Sequence, residues 1–243
     1  MPIKDALLNL LFPAKCIVCE KYGNYLCREC FDYLPVNRTN VCPVCERQET
    51  FAGRVCNFCE NGKKKIYLDG LFVASYYRQP ILKTAICLLK YNFVQPLSLP
   101  LAEILLKKIF TLADFPFERF ALVPVPLHAK RFSWRGFNQS ELLGENLRKL
   151  LEKENLKMDC LSNLLLRHKN VKPQMKIKSM NLRKKNIAGC FSLNEKFVRE
   201  IPENVILIDD VITTGATLEE CAKILKNKGV QKIWGLVLAR QSS

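Results

Sequence analysis

Two adjacent carboxylates, Asp209 and Asp210, follow directly after the apolar run Val205 to Ile208. A short loop rich in small and hydroxyl residues, Thr213 to Thr217, comes next, and a helical pattern begins beyond it. The apolar run is typical of a buried strand, and open α/β sheets bind their ligands at the C-terminal ends of such strands. Adjacent acids suit the hydroxyls of a sugar, while N–H groups in a loop before a helix suit a phosphate. The order of these residues therefore predicts a site for a phosphorylated sugar.

The phosphate-binding part of this site is predicted to be the loop after the two acids. Its members are Thr213, Thr214, Gly215, Ala216 and Thr217. Glycine lets the main chain approach a phosphate closely, and the hydroxyls add further donors. Thr217 and Glu220 also have the spacing of a capping box at the start of the helix. The alternative is a capped strand-to-helix turn without a ligand, although such a turn needs neither two acids nor this run of hydroxyls.

Eight of the twelve cysteines lie in four consecutive C-x-x-C pairs in the N-terminal part of the chain. They are Cys16, Cys19, Cys27, Cys30, Cys42, Cys45, Cys56 and Cys59. Each pair turns two thiolates toward one point, and two pairs complete a tetrahedral zinc site, so the spacing predicts two zinc ions. Pairing in sequence order would give a double zinc ribbon, and an interleaved, cross-braced pairing fits the spacing too. A segment this small has little core, so metal binding is expected to supply most of its folding free energy.

Two arginines follow the segment Val123 to Leu127, in which two prolines favour an extended, stiff backbone. Arg131 and Arg135 are expected in one short loop, and their guanidinium groups suit phosphate oxygens. Taken alone, a turn with two surface arginines is the simpler interpretation. Next to a sugar-phosphate site, the same two residues become candidates for binding a second phosphate group.

The net charge of the chain is +15, and a long stretch from Cys160 to Asn194 contains no acidic residue. Its basic residues are Arg167, Lys169, Lys172, Lys176, Lys178, Arg183, Lys184 and Lys185. A basic stripe of this kind can follow a phosphodiester backbone, with an affinity that depends strongly on salt. Within it, the candidate DNA-binding residues are Lys176, Lys178, Arg183 and Lys184. The alternatives are a solvated basic loop and a loop that serves only the phosphates of a small ligand.

Alternating strand and helix patterns must position these residues. Strands are predicted at 70–77, 120–125, 205–208 and 230–239, and helices at 81–91, 99–112, 138–151 and 218–228. This order implies right-handed crossovers and a mostly parallel α/β sheet flanked by helices. Gly62 and three lysines separate a cysteine-rich module, residues 1–62, from an α/β domain, residues 63–243. No apolar run reaches the ~20 residues that cross a bilayer, and no convincing signal peptide is present, so the expected location is the cytoplasm.

The stretch from Asp209 to Thr217 resembles the ribose-phosphate signature of type I phosphoribosyltransferases, which bind phosphoribosyl pyrophosphate (PRPP). In that family the two acids hold the ribose hydroxyls and the hydroxyl-rich loop holds the 5′-phosphate. The whole chain resembles the ComF family of competence-associated proteins, which join a zinc module to a phosphoribosyltransferase domain. The match is carried by the cysteine pairs, the stretch just described, and Leu89-Lys90-Tyr91, Val123-Pro124-Val125-Pro126, Arg135-Gly136-Phe137-Asn138-Gln139, Gln174, Arg183, Asn186 and Leu238-Ala239-Arg240.

The resemblance implies a type I phosphoribosyltransferase-like fold with PRPP and Mg²⁺ as ligands. Arg131, Arg135 and Lys90 become candidates for the pyrophosphate side of the site, although a lysine at a helix end also often extends to solvent without a ligand. The segment from Gln174 to Asn186 would be either a hood over the sugar or an arm that binds a nucleic-acid strand.

For function, the ComF resemblance implies a role in natural transformation. The chain would handle incoming single-stranded DNA on the cytoplasmic side of the inner membrane, beside the DNA-uptake machinery. One alternative is an active phosphoribosyltransferase of nucleotide or amine metabolism, which displaces pyrophosphate from PRPP with the help of Mg²⁺. A second alternative is a non-catalytic PRPP sensor. These alternatives stay open because no set of residues identifies a phosphoribosyl acceptor.

Overall fold

Four parallel strands form the central sheet of the protein, in the order β1-β6-β5-β2. The structure, a computed structural model, describes residues 13–62, 65–112, 114–169, 187–197 and 201–241. The strands in chain order are β1 (Gly70–Tyr76), β2 (Ala121–Pro124), β3 (Leu165–Arg167), β4 (Phe191–Leu193), β5 (Asn204–Ile212) and β6 (Lys232–Arg240). Strands β3 and β4 pair with each other as a separate antiparallel unit, which the sequence patterns did not predict. The parallel α/β sheet is confirmed.

Strand β5 lies inside the sheet and carries the two acids predicted to bind a ligand. Its first five residues are all buried, as expected for a parallel strand covered on both faces. The strand is longer than the apolar run, because its backbone pairing with β6 continues through Asp209 opposite Val237 and Val211 opposite Ala239. Both acids therefore lie on strand backbone, which holds them more rigidly than a loop would.

Helices cover both faces of the sheet. In chain order they are α1 (Arg28–Asp32), α2 (Asn57–Glu60), α3 (Pro80–Tyr91), α4 (Ser98–Ile109), α5 (Ala129–Arg135), α6 (Gln139–Lys153) and α7 (Ala216–Lys226). Helices α3, α4 and α6 share one apolar core with the first face, whereas α7 and the β3–β4 pair share a second core with the opposite face. None of the helices in the described segments combines the length and the apolar character needed to span a bilayer.

The cysteine module, residues 13–62 in the described part, packs against β1 and α4. Phe31 and Leu34 belong to the same buried core as the helices of the first face. The backbone N–H of Asn37 donates to the carbonyl of Ala74 at 2.8 Å. The ammonium group of the buried Lys108 donates to the carbonyl of Asn37 at 2.7 Å. The module is thus joined to the sheet through backbone groups as well as through apolar side chains.

A second set of contacts joins the cysteine module to β6. The indole N–H of Trp234 donates to the carbonyl of Ala52 at 2.9 Å. Gly70 makes room for this ring, because a Cβ atom there would lie 2.2 Å from the indole nitrogen. At the end of the strand, Arg240 contacts Glu46 at 3.0 Å and donates to the carbonyl of Pro43 at 3.2 Å. Both ends of β6 are therefore tied to the module.

Candidate functional site

A cleft opens where the C-terminal ends of the four parallel strands meet. Its polar lining residues are Tyr77, Lys90, Tyr91, Arg131, Arg135, Gln139, Arg167, Asp209, Asp210, Thr213, Thr217 and Gln241. This is the edge at which open α/β sheets bind their ligands. The two predicted acids, Thr213 and Thr217 of the hydroxyl loop, and all three candidates for the pyrophosphate side line the same cleft. Segments far apart in the sequence are thus brought together.

Asp210 is buried in the wall of the cleft, and only one of its two carboxylate oxygens has a partner among the described residues. Its Oδ1 atom lies 2.8 Å from Nζ of Lys90 and accepts a hydrogen bond from the N–H of Val211 at 2.6 Å. Its Oδ2 atom is buried and has no hydrogen-bond partner among the described residues. Because a buried carboxylate oxygen without a partner is costly, this atom is suited to a hydroxyl group supplied by a ligand.

Lys90 extends from the end of α3 into the cleft, and the solvent-exposed alternative for this residue is wrong. Its side chain is only 18% exposed. Burial opposes the protonation of this amine, but the nearby carboxylate of Asp210 outweighs burial and raises the pKa of Lys90. The lysine therefore remains a cation at neutral pH and offers an ammonium group at the cleft.

Asp209 lies beside this ion pair in a different environment. Its Oδ1 atom accepts hydrogen bonds from Oγ of Ser140 at 3.0 Å and from the N–H of Asp210 at 2.9 Å. Burial, reinforced by the negative charge of Asp210 and opposed by Lys90, raises the pKa of Asp209 to about 7. A carboxyl with this pKa exchanges a proton near neutral pH, so a ligand that donates hydroxyls to it favours the ionised form.

The loop after β5 turns directly into helix α7. Gly215 has a left-handed backbone, with φ of +74°, and is the N-cap of the helix. The Oγ1 atom of Thr214 accepts from the N–H of Ala216 at 3.4 Å. The predicted capping box is wrong, because the helix begins one residue before Thr217 and the carboxylate of Glu220 instead accepts from the N–H of Gly189 at 2.7 Å. The short connection places Thr217, in the first turn of α7, in the lining of the cleft.

Arg131 and Arg135 line the opposite side of the cleft, on helix α5 and not in the short loop that the sequence predicted. The helix forms because the ring nitrogen of His128 accepts from the N–H of Lys130 at 3.1 Å and Gly136 ends it in a left-handed conformation. Arg135 is buried and donates to the side-chain oxygen of Gln139. Its Nε atom is buried without a partner among the described residues, and burial lowers its pKa.

Sequence reasoning missed Arg167 as a cleft residue and assigned it only to the basic stretch. It ends β3, and its guanidinium lies 5.1 Å from the ring centre of Phe191 on β4. Its Nε atom is also buried without a partner among the described residues. The available signal was the apolar run Leu164 to Leu166, which indicates a strand directly before the arginine. Ser140, the hydroxyl partner of Asp209, was missed because its role depends on tertiary contacts.

The chemistry of the cleft fits a sugar that carries phosphate groups. Three buried polar atoms without partners in the described part, on Asp210, Arg135 and Arg167, belong to residues that face the same space. Carboxylates accept sugar hydroxyls, and guanidinium groups bind phosphate oxygens with directed hydrogen bonds. A ligand with both kinds of group would satisfy these atoms at once. A purely apolar ligand would leave them buried and unpaired.

The cysteines form two separate clusters of four. The thiol groups of Cys16, Cys19, Cys27 and Cys30 lie within 4.8 Å of one another, and so do those of Cys42, Cys45, Cys56 and Cys59. The cysteine pairs therefore associate in sequence order, and the interleaved pairing is not found. Four thiolates around one point are the typical ligand set of structural zinc, so the module carries two sites that fit zinc.

Four predicted DNA-binding residues lie outside the described part of the chain. They are Lys176, Lys178, Arg183 and Lys184. Gln174 and Asn186, which contribute to the family resemblance, lie outside it as well.

Comparison with known proteins links both parts of the chain to described families. A double zinc ribbon domain matches residues 7–61, and a phosphoribosyl transferase domain matches residues 166–243. Competence protein F of Haemophilus influenzae is 28% identical over 241 residues, covering 90% of this chain and 99% of that protein. Competence protein ComFC of Bacillus subtilis is 28% identical over 220 residues, covering 84% of this chain and 79% of that protein. DNA utilization protein YhgH of Escherichia coli K12 is 29% identical over 241 residues, covering 93% of this chain and 98% of that protein.

The chain is similar to competence proteins over most of its length and combines the two domains by which it resembles the ComF family. Its fold is accordingly the phosphoribosyltransferase-like α/β fold with an N-terminal double zinc ribbon. The phosphoribosyl transferase match begins at residue 166, so it includes Arg167 and both acids. Lys90, Arg131 and Arg135 precede the matched region, and the structure places them in the lining of the same cleft.

Proposed function

We propose that this ComF-family protein binds PRPP with Mg²⁺ in the cleft and acts as a competence factor that handles incoming single-stranded DNA. The observation that carries the PRPP proposal is the acid pair near the end of β5, which shares the cleft with the buried Arg135 and the partly buried Arg131 and Arg167. Asp209 and Asp210 would hold the two ribose hydroxyls, and the loop from Thr213 to Thr217 would hold the 5′-phosphate.

The pyrophosphate of PRPP would lie on the side of the cleft formed by α5 and the end of α3. Arg131, Arg135 and Lys90 provide the positive charge there, and Arg167 adds a fourth cation from β3. When bound, Mg²⁺ would neutralise part of the pyrophosphate charge. The side chains supply the rest of that neutralisation and fix the orientation of the sugar.

The DNA-handling part of the proposal is supported by charge and by the relatives. The chain has a net charge of +15, and relatives matched over most of its length are named competence proteins or a DNA utilization protein. The acid-free stretch 160–194 would contact the phosphodiester backbone. We further propose that residues 1–62 and 63–243 are the two functional parts, and that the protein works in the cytoplasm, beside the uptake machinery at the inner membrane.

Isothermal titration calorimetry with PRPP and excess Mg²⁺ tests the ligand. Wild-type protein should bind, and the double variant Asp209→Asn with Asp210→Asn should not. Asp159→Asn, which changes an exposed acid, is the matched control and should bind like the wild type. No heat of binding with folded wild-type protein would contradict the PRPP proposal.

Fluorescence anisotropy with a labelled oligothymidylate tests the DNA part. Replacing Lys176, Lys178, Arg183 and Lys184 together by Ala should weaken binding and reduce the dependence of affinity on salt, because each lost phosphate contact reduces the salt slope by about one. An unchanged affinity and slope would exclude this stretch as the DNA contact.

The raised pKa of Asp209 favours a second candidate function, that of an active phosphoribosyltransferase. This pKa of about 7 is that of an effective general base near neutral pH. In that reaction an acceptor nitrogen forms a bond to the anomeric carbon of PRPP, the carbon–oxygen bond to pyrophosphate breaks, and the acceptor proton goes to Asp209. Mg²⁺-dependent pyrophosphate release with a base or an amine would support catalysis. PRPP binding without release from any acceptor tested would favour a non-catalytic sensor.

A further inference from the structure

An exposed aromatic pair lies next to the cleft. The rings of Phe93 and Trp134 meet edge to face, with their centres 5.0 Å apart. Trp134 is 58% exposed and Phe93 is 38% exposed, so the pair leaves large ring surfaces open to solvent. Trp134 directly precedes Arg135, and Phe93 comes two residues after Tyr91, and both of these neighbours line the cleft. The pair therefore sits at the junction of the two helices that form the cationic side.

The position of Phe93 is held by its backbone. Its φ angle is +60°, which a bulky side chain rarely adopts and which is found mainly where the surrounding structure imposes it. The carbonyl of Phe93 accepts from the N–H of Gln95 at 2.8 Å, and the N–H of Val94 donates to the carbonyl of Leu88 at 3.2 Å. These bonds anchor the turn after α3 and keep the phenyl ring against Trp134 instead of in the core.

The segments that carry the pair are poor in negative charge. No acidic residue occurs between Asp69 and Glu103 or between Glu118 and Glu141. Lys83 and Lys130, one in each segment, are exposed. An aromatic surface flanked by cations is complementary to a polymer that carries both phosphate charges and planar bases.

We infer that Trp134 and Phe93 form a base-stacking platform for single-stranded nucleic acid at the edge of the cleft. This inference rests on the proposed DNA-handling function and adds a second contact to it, separate from the basic stretch 160–194. Unpaired bases stack on aromatic side chains regardless of sequence, and nearby cations follow the phosphates. A duplex keeps its bases stacked inside and cannot use such a surface. Lys130 lies four residues before Trp134 on α5, on the same side of the helix, and would contact the phosphate next to the stacked base.

The test compares an oligothymidylate of about 20 nucleotides with an abasic strand of equal length. Trp134→Ala should weaken oligothymidylate binding about tenfold, the loss expected for one stacked base, without changing the salt slope. Binding of the abasic strand should not change. Trp134→Phe should restore most of the affinity, whereas Lys130→Ala should reduce the salt slope for both strands.

Tryptophan fluorescence gives an independent signal. The chain has two tryptophans, and Trp234 is only 3% exposed, so quenching by oligothymidylate should come from Trp134 and disappear in Trp134→Phe. Phe110→Ala, which removes an exposed ring at the end of α4, is the matched control and should leave binding unchanged. Thermal unfolding of each variant shows that it is folded.

The outcomes separate this inference from the proposed function. If wild-type protein binds oligothymidylate but Trp134→Ala binds equally well, the platform is excluded and DNA handling stands. If Trp134→Ala weakens the binding of both strands equally, the ring contacts something other than a base, and the platform is excluded too. If wild-type protein binds neither strand, both the platform and DNA handling fail, while PRPP binding is judged by its own titration.

Discussion

Lys90 and Asp210 form an ion pair of 2.8 Å in the wall of the cleft, one reaching in from the end of α3 and the other from β5. The two residues are 120 positions apart in the sequence, and their side chains are 18% and 4% exposed. The pair holds a positive charge beside the acids that are proposed to bind ribose. Removing either member would therefore change both the stability of the folded protein and the charge inside the cleft.

Lys90→Met should destabilise the protein, because it leaves the buried carboxylate of Asp210 without its cation. The expected loss is about 3 kcal/mol of unfolding free energy, measured by urea denaturation. Adding Asp210→Asn should recover much of this loss, since the uncompensated charge is then gone. Lys83→Met, an exposed change on the same helix, should cost no more than about 0.5 kcal/mol. Equal effects of the two lysine variants would contradict a stabilising ion pair.

Asp209 should make stability depend on pH in a direction opposite to that of most carboxylates. Its pKa is raised to about 7 in the folded protein, against about 4 in an unfolded chain. Between these values the unfolded state is ionised and the folded state is protonated, so this residue lowers stability progressively as pH rises from about 4 to about 7.

Asp209→Asn removes that ionisation. Its unfolding free energy relative to the wild type should therefore increase between pH 5 and pH 8, by on the order of 2 kcal/mol. Parallel urea titrations of both proteins at the two pH values measure this difference. A difference in unfolding free energy, variant minus wild type, that stays constant or decreases as pH rises would show that the pKa is not raised.

Gly215→Ala should impair phosphate binding more than it impairs folding. Gly215 and Gly229 both have positive φ angles, of +74° and +96°, and a Cβ atom would meet only ordinary contacts or open space at either position. Both Ala variants should therefore lose about 1–2 kcal/mol from backbone strain alone. Only Gly215→Ala should also weaken binding of ribose 5-phosphate in calorimetry, because Gly229 lies at the far end of α7. Equal affinities would argue against the loop as the phosphate site.

Cys42→Ser should remove one of the two zinc ions and disturb β6 at the same time. Zinc content measured by mass spectrometry should fall from about two ions per chain to about one. In a Trp134→Phe background, Trp234 is the remaining tryptophan, and its emission should shift because its N–H bonds to Ala52 in the module. Cys160→Ser, outside both clusters, should change neither zinc content nor emission. Full zinc content in Cys42→Ser would contradict the assigned ligand set.

Local sequence patterns were sufficient for the parts of the protein that depend on local chemistry. The apolar run before Asp209 predicted the strand, and the spacing of the cysteines predicted two four-sulfur clusters. The strand also determines where the following loop begins, and Thr213 and Thr217 of that loop line the cleft.

The positions of residues that depend on contacts distant in the sequence could not be predicted as well. Arg131 and Arg135 were expected in a loop, but the side chain of His128 and the backbone of Gly136 shape a helix around them. Arg167 was missed because β3 pairs with β4 across a long intervening segment. The contact of Lys90 with Asp210 depends on how α3 packs on the sheet, which no periodicity in either segment encodes.

Because the cysteine module is attached to both ends of β6, removing it would disturb the α/β domain. Cutting the chain near residue 62 would strip Trp234 and Arg240 of their partners and uncover the apolar surface that Phe31 and Leu34 protect. A truncated protein that loses activity would then reveal nothing about zinc, since its phosphoribosyltransferase half would be damaged as well. Point substitutions at the sulfurs keep these contact residues in the chain and therefore test the zinc sites more directly than truncation does.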